Sequence, residues 1–143
     1  MRLTRIYLPA ALVTGSELAL PVTACNHLLR VLRLREGAQL IVFDGAGNEH
    51  ETEISRISGQ QVYVRLGIAL NRLTESPLHI TLVQGISRGE RMDWTIQKAT
   101  ELGITQIVPV LTSRSVVKLD QKQSVKKQEH WQAIAISACE QSG

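Results

Sequence analysis

"HITLVQGISRGERMDWTIQKATELGITQIVPVL", residues 79–111, decides the fold. Two nearly continuous apolar runs, "HITLVQGI" and "ITQIVPVL", bracket "RMDWTIQKATEL", whose apolar residues recur at helical spacing. A strand, a helix and a second strand of this kind form a βαβ unit, whose strands lie parallel and covered by helices. Met92, Ile96 and Ala99 supply the helix's core side, while Trp94, Lys98 and Glu101 follow one another at i, i+4 and i+7. Ser87 and Glu90 have the spacing of a capping box, and Gly103 stands where a left-handed C′ residue would close the helix. The glycines and arginines of "GISRGERMD" do not make a phosphate loop: neither the spacing nor the Lys-Ser/Thr pair is present, and no G-x-G-x-x-G follows the strand.

Toward the N-terminus the grammar changes. "LTRIYL" and "LIVFDGAGNEHETEISRISGQQVYVRL" read as short strands, with DGAGN and SGQ dividing alternating stretches into antiparallel neighbours. A small antiparallel barrel or curled sheet is expected there. The polar stretch "ALNRLTESPL" separates the two patterns, so a boundary is expected between Leu70 and Ser76, giving domains 1–72 and 73–143. Toward the C-terminus, "DQKQSVKKQEH" is polar enough for a solvated first turn or a loop. "HWQAIAISACEQSG" then places Trp131, Ile134, Ala135 and Ala138 at helical spacing. A sheet of two strands cannot bury itself alone, so the α/β part reads as unfinished.

Composition narrows the function. The 143 residues are 43% hydrophobic, enough for one ordinary domain or two small ones. Net charge is +3 and the sequence pI about 9.1, which favours an anionic partner. With aromatics at 3%, base stacking on Phe, Tyr or Trp is not expected, and any RNA contact would rest on Arg, Lys and backbone amides. Cys25 and Cys139 are far apart and outside any CxxC pair, so two inert thiols are expected, with no disulfide framework and no metal site. No apolar run approaches membrane-spanning length and no signal peptide is legible, so a soluble cytoplasmic protein is expected.

One helix carries a readable charged face. On a wheel of about 100° per residue, "TACNHLLRVLRL" sets Cys25, Leu28, Leu29, Val31 and Leu32 on a core side and Asn26, His27, Arg30 and Arg33 on the other, with Thr23 as N-cap and Gly37 ending the next turn. Two readings stand: arginines covering the solvent side of an amphipathic helix, or a polyanion-facing stripe extended by Arg2, Arg5 and Arg35. Farther on, Arg114 and Ser115 follow the second parallel strand, at the edge where open α/β sheets bind ligands. Lys98 and Glu101 fit an ordinary surface ion pair.

"HLLRVLRLREG", "FDGAGNE", "SRGERMDWTIQKATELGITQIVPVLTSRSVVK" and "HWQAIAISACEQSG" resemble, in order and across almost the whole chain, the bacterial RsmE-type methyltransferases. The resemblance implies a PUA-like antiparallel β-barrel for RNA binding, followed by a SPOUT-type parallel α/β methyltransferase domain. It also implies a homodimer that uses S-adenosylmethionine to methylate N3 of a uracil in 16S ribosomal RNA of the small subunit. By resemblance Arg5, His27, Arg30, Arg33, Arg35, Arg88 and Arg91 are assigned to RNA. Arg114, Lys98 and Glu101 are assigned to catalysis, and Ser115, Glu140, Gln141 and Ser142 to the border of the active cleft. The family continues past the EQS block into a knotted region whose glycine-rich loop holds the cofactor. The cofactor residues are therefore expected beyond Gly143, and residues 1–143 alone are expected to be inactive. Two alternatives stay open: a non-catalytic RNA-binding or ribosome-assembly module, and a SPOUT methyltransferase acting on another RNA.

Overall fold

Alternating apolar residues in the N-terminal half fold into one five-stranded sheet. The computed structural model describes residues 3–71 and 76–143, so Arg2 and the residues at 72–75, inside the expected boundary, lie outside the described residues. The chain divides into two units, Met1–Leu73 and Thr74–Gly143.

In the first unit, β1 (Thr4–Tyr7), β2 (Glu17–Ala19), β3 (Gln39–Phe43), β4 (Glu49–Ser58) and β5 (Gln61–Leu70) pair in the order β1-β3-β4-β5-β2. All pairings are antiparallel except β1 with β3, which is parallel. The order ends at β1 and β2, so the expected barrel takes the form of a curled sheet, bent by two bulges between β4 and β5. At one of them Gly67 passes so close to Glu51 that a Cβ there would lie 2.9 Å from the Glu51 carbonyl oxygen. Ser58 pairs with Gln61, leaving Gly59 (φ +62°) and Gln60 as a two-residue loop, the arrangement of a type II′ hairpin. The inward residues Ile6, Leu40, Val42, Ile54, Val62, Val64 and Leu66 form the core, closed by Cys25 and Leu28 from the helix between β2 and β3.

That helix departs from the wheel. It begins at Val22 behind Pro21, so Thr23 lies inside the first turn and no side chain caps it. α1 (Val22–Asn26) then widens over His27–Val31, where the Leu32 amide donates to the His27 carbonyl at 3.0 Å, five residues back. A wider turn advances less than 100° per residue, and the faces slip out of phase. Val31, expected inside, is 66% exposed, and Leu32 is exposed too. Leu34 packs on the core in their stead, once Arg33 has reversed the chain at φ +55°.

The second unit is the expected βαβ. β6 (Thr81–Gly85) and β7 (Gln106–Val110) are parallel, with α2 (Glu90–Glu101) between them and α3 (Gln121–Ser142) after. Met92, Ile96 and Trp131 form the core, joined by Ile86, Ile107, Ile134 and Ala135. The capping box at Ser87 and Glu90 does not form: Gly89, at φ +63°, is the N-cap and Glu90 opens the helix, so Ser87 stands too far upstream to reach the first orphan amides. The box is instead on α3, where Asp120 accepts from the Gln123 amide at 2.7 Å and the Gln123 side chain accepts from the Asp120 amide at 3.1 Å. α2 ends as its glycine demands: Gly103 (φ +84°) donates to Thr100 and Ile104 to Ala99, each at 3.0 Å, the paired bonds of a Schellman closure. Among the described residues no helix is long and apolar enough to cross a membrane.

Candidate functional site

The first unit concentrates charge where its helix is least regular. His27, Arg30, Arg33 and Arg35 are all exposed on the wide turn and the chain reversal after it. Arg30 Nη2 donates to Gln60 Oε1 at 3.3 Å, tying the turn to the β4–β5 hairpin tip. Arg33 is the one non-glycine residue with positive φ among the described residues, a conformation that costs a side chain of this kind on the order of 1 kcal/mol and that glycine would adopt freely. An arginine held there keeps its charge at the tip of the reversal.

Arg5 stands apart from this set. Its side chain is 9% exposed, its guanidinium pairs with Glu49 on β4 and lies 4.8 Å from the Phe43 ring centroid. It fastens β1 to the neighbouring strands and presents little charge to solvent.

In the second unit, parallel pairing puts the ends of β6 and β7 side by side, Gly85 opposite Val110. The loops leaving those ends are stitched together: the Ile86 amide donates to the Val110 carbonyl at 3.0 Å, and Ser115 Oγ donates to the Ile86 carbonyl at 3.4 Å. Ser115 Oγ also accepts from the Val117 amide at 3.3 Å, so its hydroxyl is occupied in holding this loop. Arg88, Arg91 and Arg114 rise from the same rim and are exposed.

The rim does not gather the other assigned residues. Lys98 and Glu101 lie in the last turn of α2, which begins beside the exit of β6 and ends beside the entry to β7, so they sit at the far end from Arg88 and Arg114. Their ion pair is 2.7 Å long, and Gln97 Nε2 donates to the same carboxylate at 2.9 Å. The hydrogen bond from Lys98, with help from Gln97, holds the Glu101 carboxyl below its ordinary pKa. This is the surface pair that the spacing allowed.

Glu140, Gln141 and Ser142 close α3, with Ser142 Oγ donating to the Ala138 carbonyl at 2.9 Å. The packed half of α3 runs along α2 from Asp93 onward, which carries its last turn away from the rim as well. Asp93 anchors it: the Trp131 indole N–H donates to Oδ1 at 3.2 Å, and His130 Nε2 lies 2.8 Å from Oδ2. Reading from sequence missed this carboxylate, since an aspartate in a helix's first turn already has a reason to be there. It also missed the lysines of α3, whose pattern suited a solvated loop equally well.

Comparison with known proteins matches both units. The family model of an RNA methyltransferase PUA domain matches residues 24–67, and that of an RNA methyltransferase domain matches residues 74–143. A ribosomal RNA small subunit methyltransferase E of Bacillus subtilis is 36% identical over 134 residues, covering 94% of this chain and 50% of that protein. Among solved structures, a putative methyltransferase of Legionella pneumophila in complex with the bound cofactor SAM superposes with TM-score 0.95 at 43% identity, over 100% of this chain and 59% of that one. The ribosomal RNA small subunit methyltransferase E of Neisseria gonorrhoeae, bound to S-adenosyl methionine, gives 0.93 at 42%, over 99% and 58%. The chain spans about half the length of the curated relatives it matches.

Proposed function

The chain belongs to the RNA methyltransferases that join a PUA domain to an RNA methyltransferase domain, and from that premise we propose that residues 1–143 recognise RNA for the S-adenosylmethionine-dependent methylation of N3 of a uridine in 16S ribosomal RNA. The likeness along the whole chain to cofactor-bound methyltransferases carries this reading. With it come the small ribosomal subunit as partner, a homodimeric assembly, a role in ribosome biogenesis and a cytoplasmic location.

The exposed cations supply the recognition. His27, Arg30, Arg33 and Arg35 meet phosphates on one unit, Arg88 and Arg91 on the other, and Arg5 supports the first set by holding β1 in place. Such contacts give affinity that falls steeply with salt. Arg114 takes the catalytic role. N3 of uracil carries a proton at neutral pH, so transfer requires a site that favours the deprotonated base, and a guanidinium beside the carbonyl oxygens does this. On the resemblance Lys98 and Glu101 act with Arg114, although they lie at the far end of α2 from it, and Glu140, Gln141 and Ser142 border the cleft. Ser115 fixes the loop from which Arg114 projects.

The described rim does not fit the cofactor. S-adenosylmethionine presents a sulfonium and an ammonium beside one carboxylate. Arg88, Arg91 and Arg114 repel the first two and attract the third, and Glu90 is the single acid among them, so the rim suits phosphate better than the cofactor's cationic, methyl-donating centre. The cofactor's residues belong, on the resemblance, to sequence beyond Gly143. Incubation with labelled S-adenosylmethionine and small ribosomal subunits tests the reading. A polypeptide of residues 1–143 is expected to bind 16S ribosomal RNA in a salt-dependent way and to transfer no label, whereas one extended to the relatives' length transfers it to N3 of a uridine. A different modified position would point to another RNA substrate, and absence of RNA binding by residues 1–143 would overturn the proposal.

A further inference from the structure

α3 is longer than the body it packs on. From Gln121 to His130 every residue but the half-buried Ser124 is exposed, whereas Trp131 and Ala138 are buried. Because Trp131 meets Asp93, three residues into α2, the turns of α3 ahead of Gln128 extend past the start of that helix, by about 10 Å at Gln121. A segment this short, polar but for Val125, has no helical stability of its own. It is held by continuity with the packed half and by the Asp120–Gln123 capping box at its tip.

The projecting turns are cationic. Lys122, Lys126 and Lys127 stand against Glu129 alone within Gln121–Glu129, and Lys118 precedes them. None of these lysines forms an ion pair among the described residues, although Glu129 is three residues from Lys126. Helical periodicity puts Lys127 on the same side as Trp131, over the start of α2 where Arg88 and Arg91 lie, and Lys122 with Lys126 on the opposite side. Two like charges four apart weaken an isolated helix by a few tenths of a kcal/mol, so the pattern does not serve the helix itself. A continuing protein core has little to gain here, as Val125 is the single large apolar residue of the segment.

We infer that Gln121–Glu129 is a phosphate-contacting prong: Lys122 and Lys126 on one side and Lys127 on the other face two runs of an RNA backbone, beside the Arg88–Arg91–Arg114 rim. The inference rests on the RNA-binding reading above and adds an element to it. RNA is the occupant that fits, because unpaired cations on opposite sides of a narrow rod match a strand that bends or pairs around it, and no apolar face is present to receive a protein.

Binding of residues 1–143 to a labelled 16S ribosomal RNA transcript, measured by fluorescence anisotropy across a salt series, tests it. The Lys122→Gln/Lys126→Gln/Lys127→Gln variant keeps helix propensity and is expected to bind about tenfold or more weakly near 0.1 M salt, its log-log salt slope shallower by roughly 2 to 3. The matching Lys→Arg triple is expected to bind as the parent does, and far-UV circular dichroism reports whether the helix persists in both. A Gln triple with unchanged affinity and slope overturns the prong, and if Arg30→Gln/Arg33→Gln binds weakly in the same assay, the general RNA-binding reading survives that result. A Gln triple that alters self-association in sedimentation while RNA binding stays constant assigns the surface to protein and overturns the prong too. Failure of the parent chain to bind overturns both.

Discussion

Replacing Asp93 by alanine removes one carboxylate that fastens two side chains of α3 to the first turn of α2. The larger loss is at Trp131, 7% exposed, whose indole N–H would be left without an acceptor at about 1–3 kcal/mol. His130 is half-exposed, and its contact adds no more than about 1 kcal/mol. Removing an acidic residue from the helix start costs a further few tenths. The sum is about 1–4 kcal/mol against the second unit alone. Both tryptophans, Trp94 and Trp131, belong to that unit and both tyrosines, Tyr7 and Tyr63, to the other, so tryptophan emission during urea unfolding reads it selectively. With an m value of roughly 1–2 kcal/mol/M, the midpoint should fall by about 0.5 M or more. Asp93→Asn keeps an oxygen for the indole and should lose about half as much. A shift in Asp93→Ala below about 0.3 M, or an equal loss in the asparagine variant, would refute the anchoring role.

Three other outcomes follow from the first unit. Gly67→Ala drives a methyl against the Glu51 carbonyl at the bulge and should cost about 1–3 kcal/mol, read as a lower far-UV unfolding midpoint with the tryptophan transition unmoved. Leu34→Ala should cost about 1–3 kcal/mol and Val31→Ala less than about 0.5; the reverse order would mean that the helix keeps its ordinary phase. In the β3–β4 loop, burial raises the Asp44 carboxyl, but hydrogen bonds from the Asn48 side chain and the Ala46 and Asn48 amides outweigh it and lower its pKa. A depressed carboxylate stabilises above its unfolded value, near 3.9, and the stabilisation is lost as pH falls through the folded one; a carbon-detected NMR titration placing Asp44 at or above 3.9 would count against the loop geometry.

Strands and the βαβ unit were legible because burial repeats along them with a fixed period, and Gly103 because no other residue closes a helix so readily. The α1 faces were not, since a single widened turn leaves no composition signal yet rotates everything after it, so Val31 and Leu34 exchange places. Capping at Ser87 failed for a related reason: the pattern was present, but Gly89 could take the positive φ that starts the helix later. Lys98 and Glu101 form the ion pair that their spacing allowed, but the spacing did not tell which end of α2, relative to the rim, would carry it. Arg5 and Arg30 are the same residue type near the same sheet, and only the partner Glu49, two strands away on β4, separates an inward guanidinium from an outward one.

Cys25 lies 2% exposed beneath β5, its sulfur donating to the Leu20 carbonyl at 3.4 Å and accepting from the Val62 amide at 3.4 Å. Since only a solvated thiolate is alkylated, that sulfur is a built-in stopwatch for the breathing of the first unit. Its labelling half-time with iodoacetamide, set beside that of the less buried Cys139, would follow how often the curled sheet gapes without any residue being changed to carry a probe.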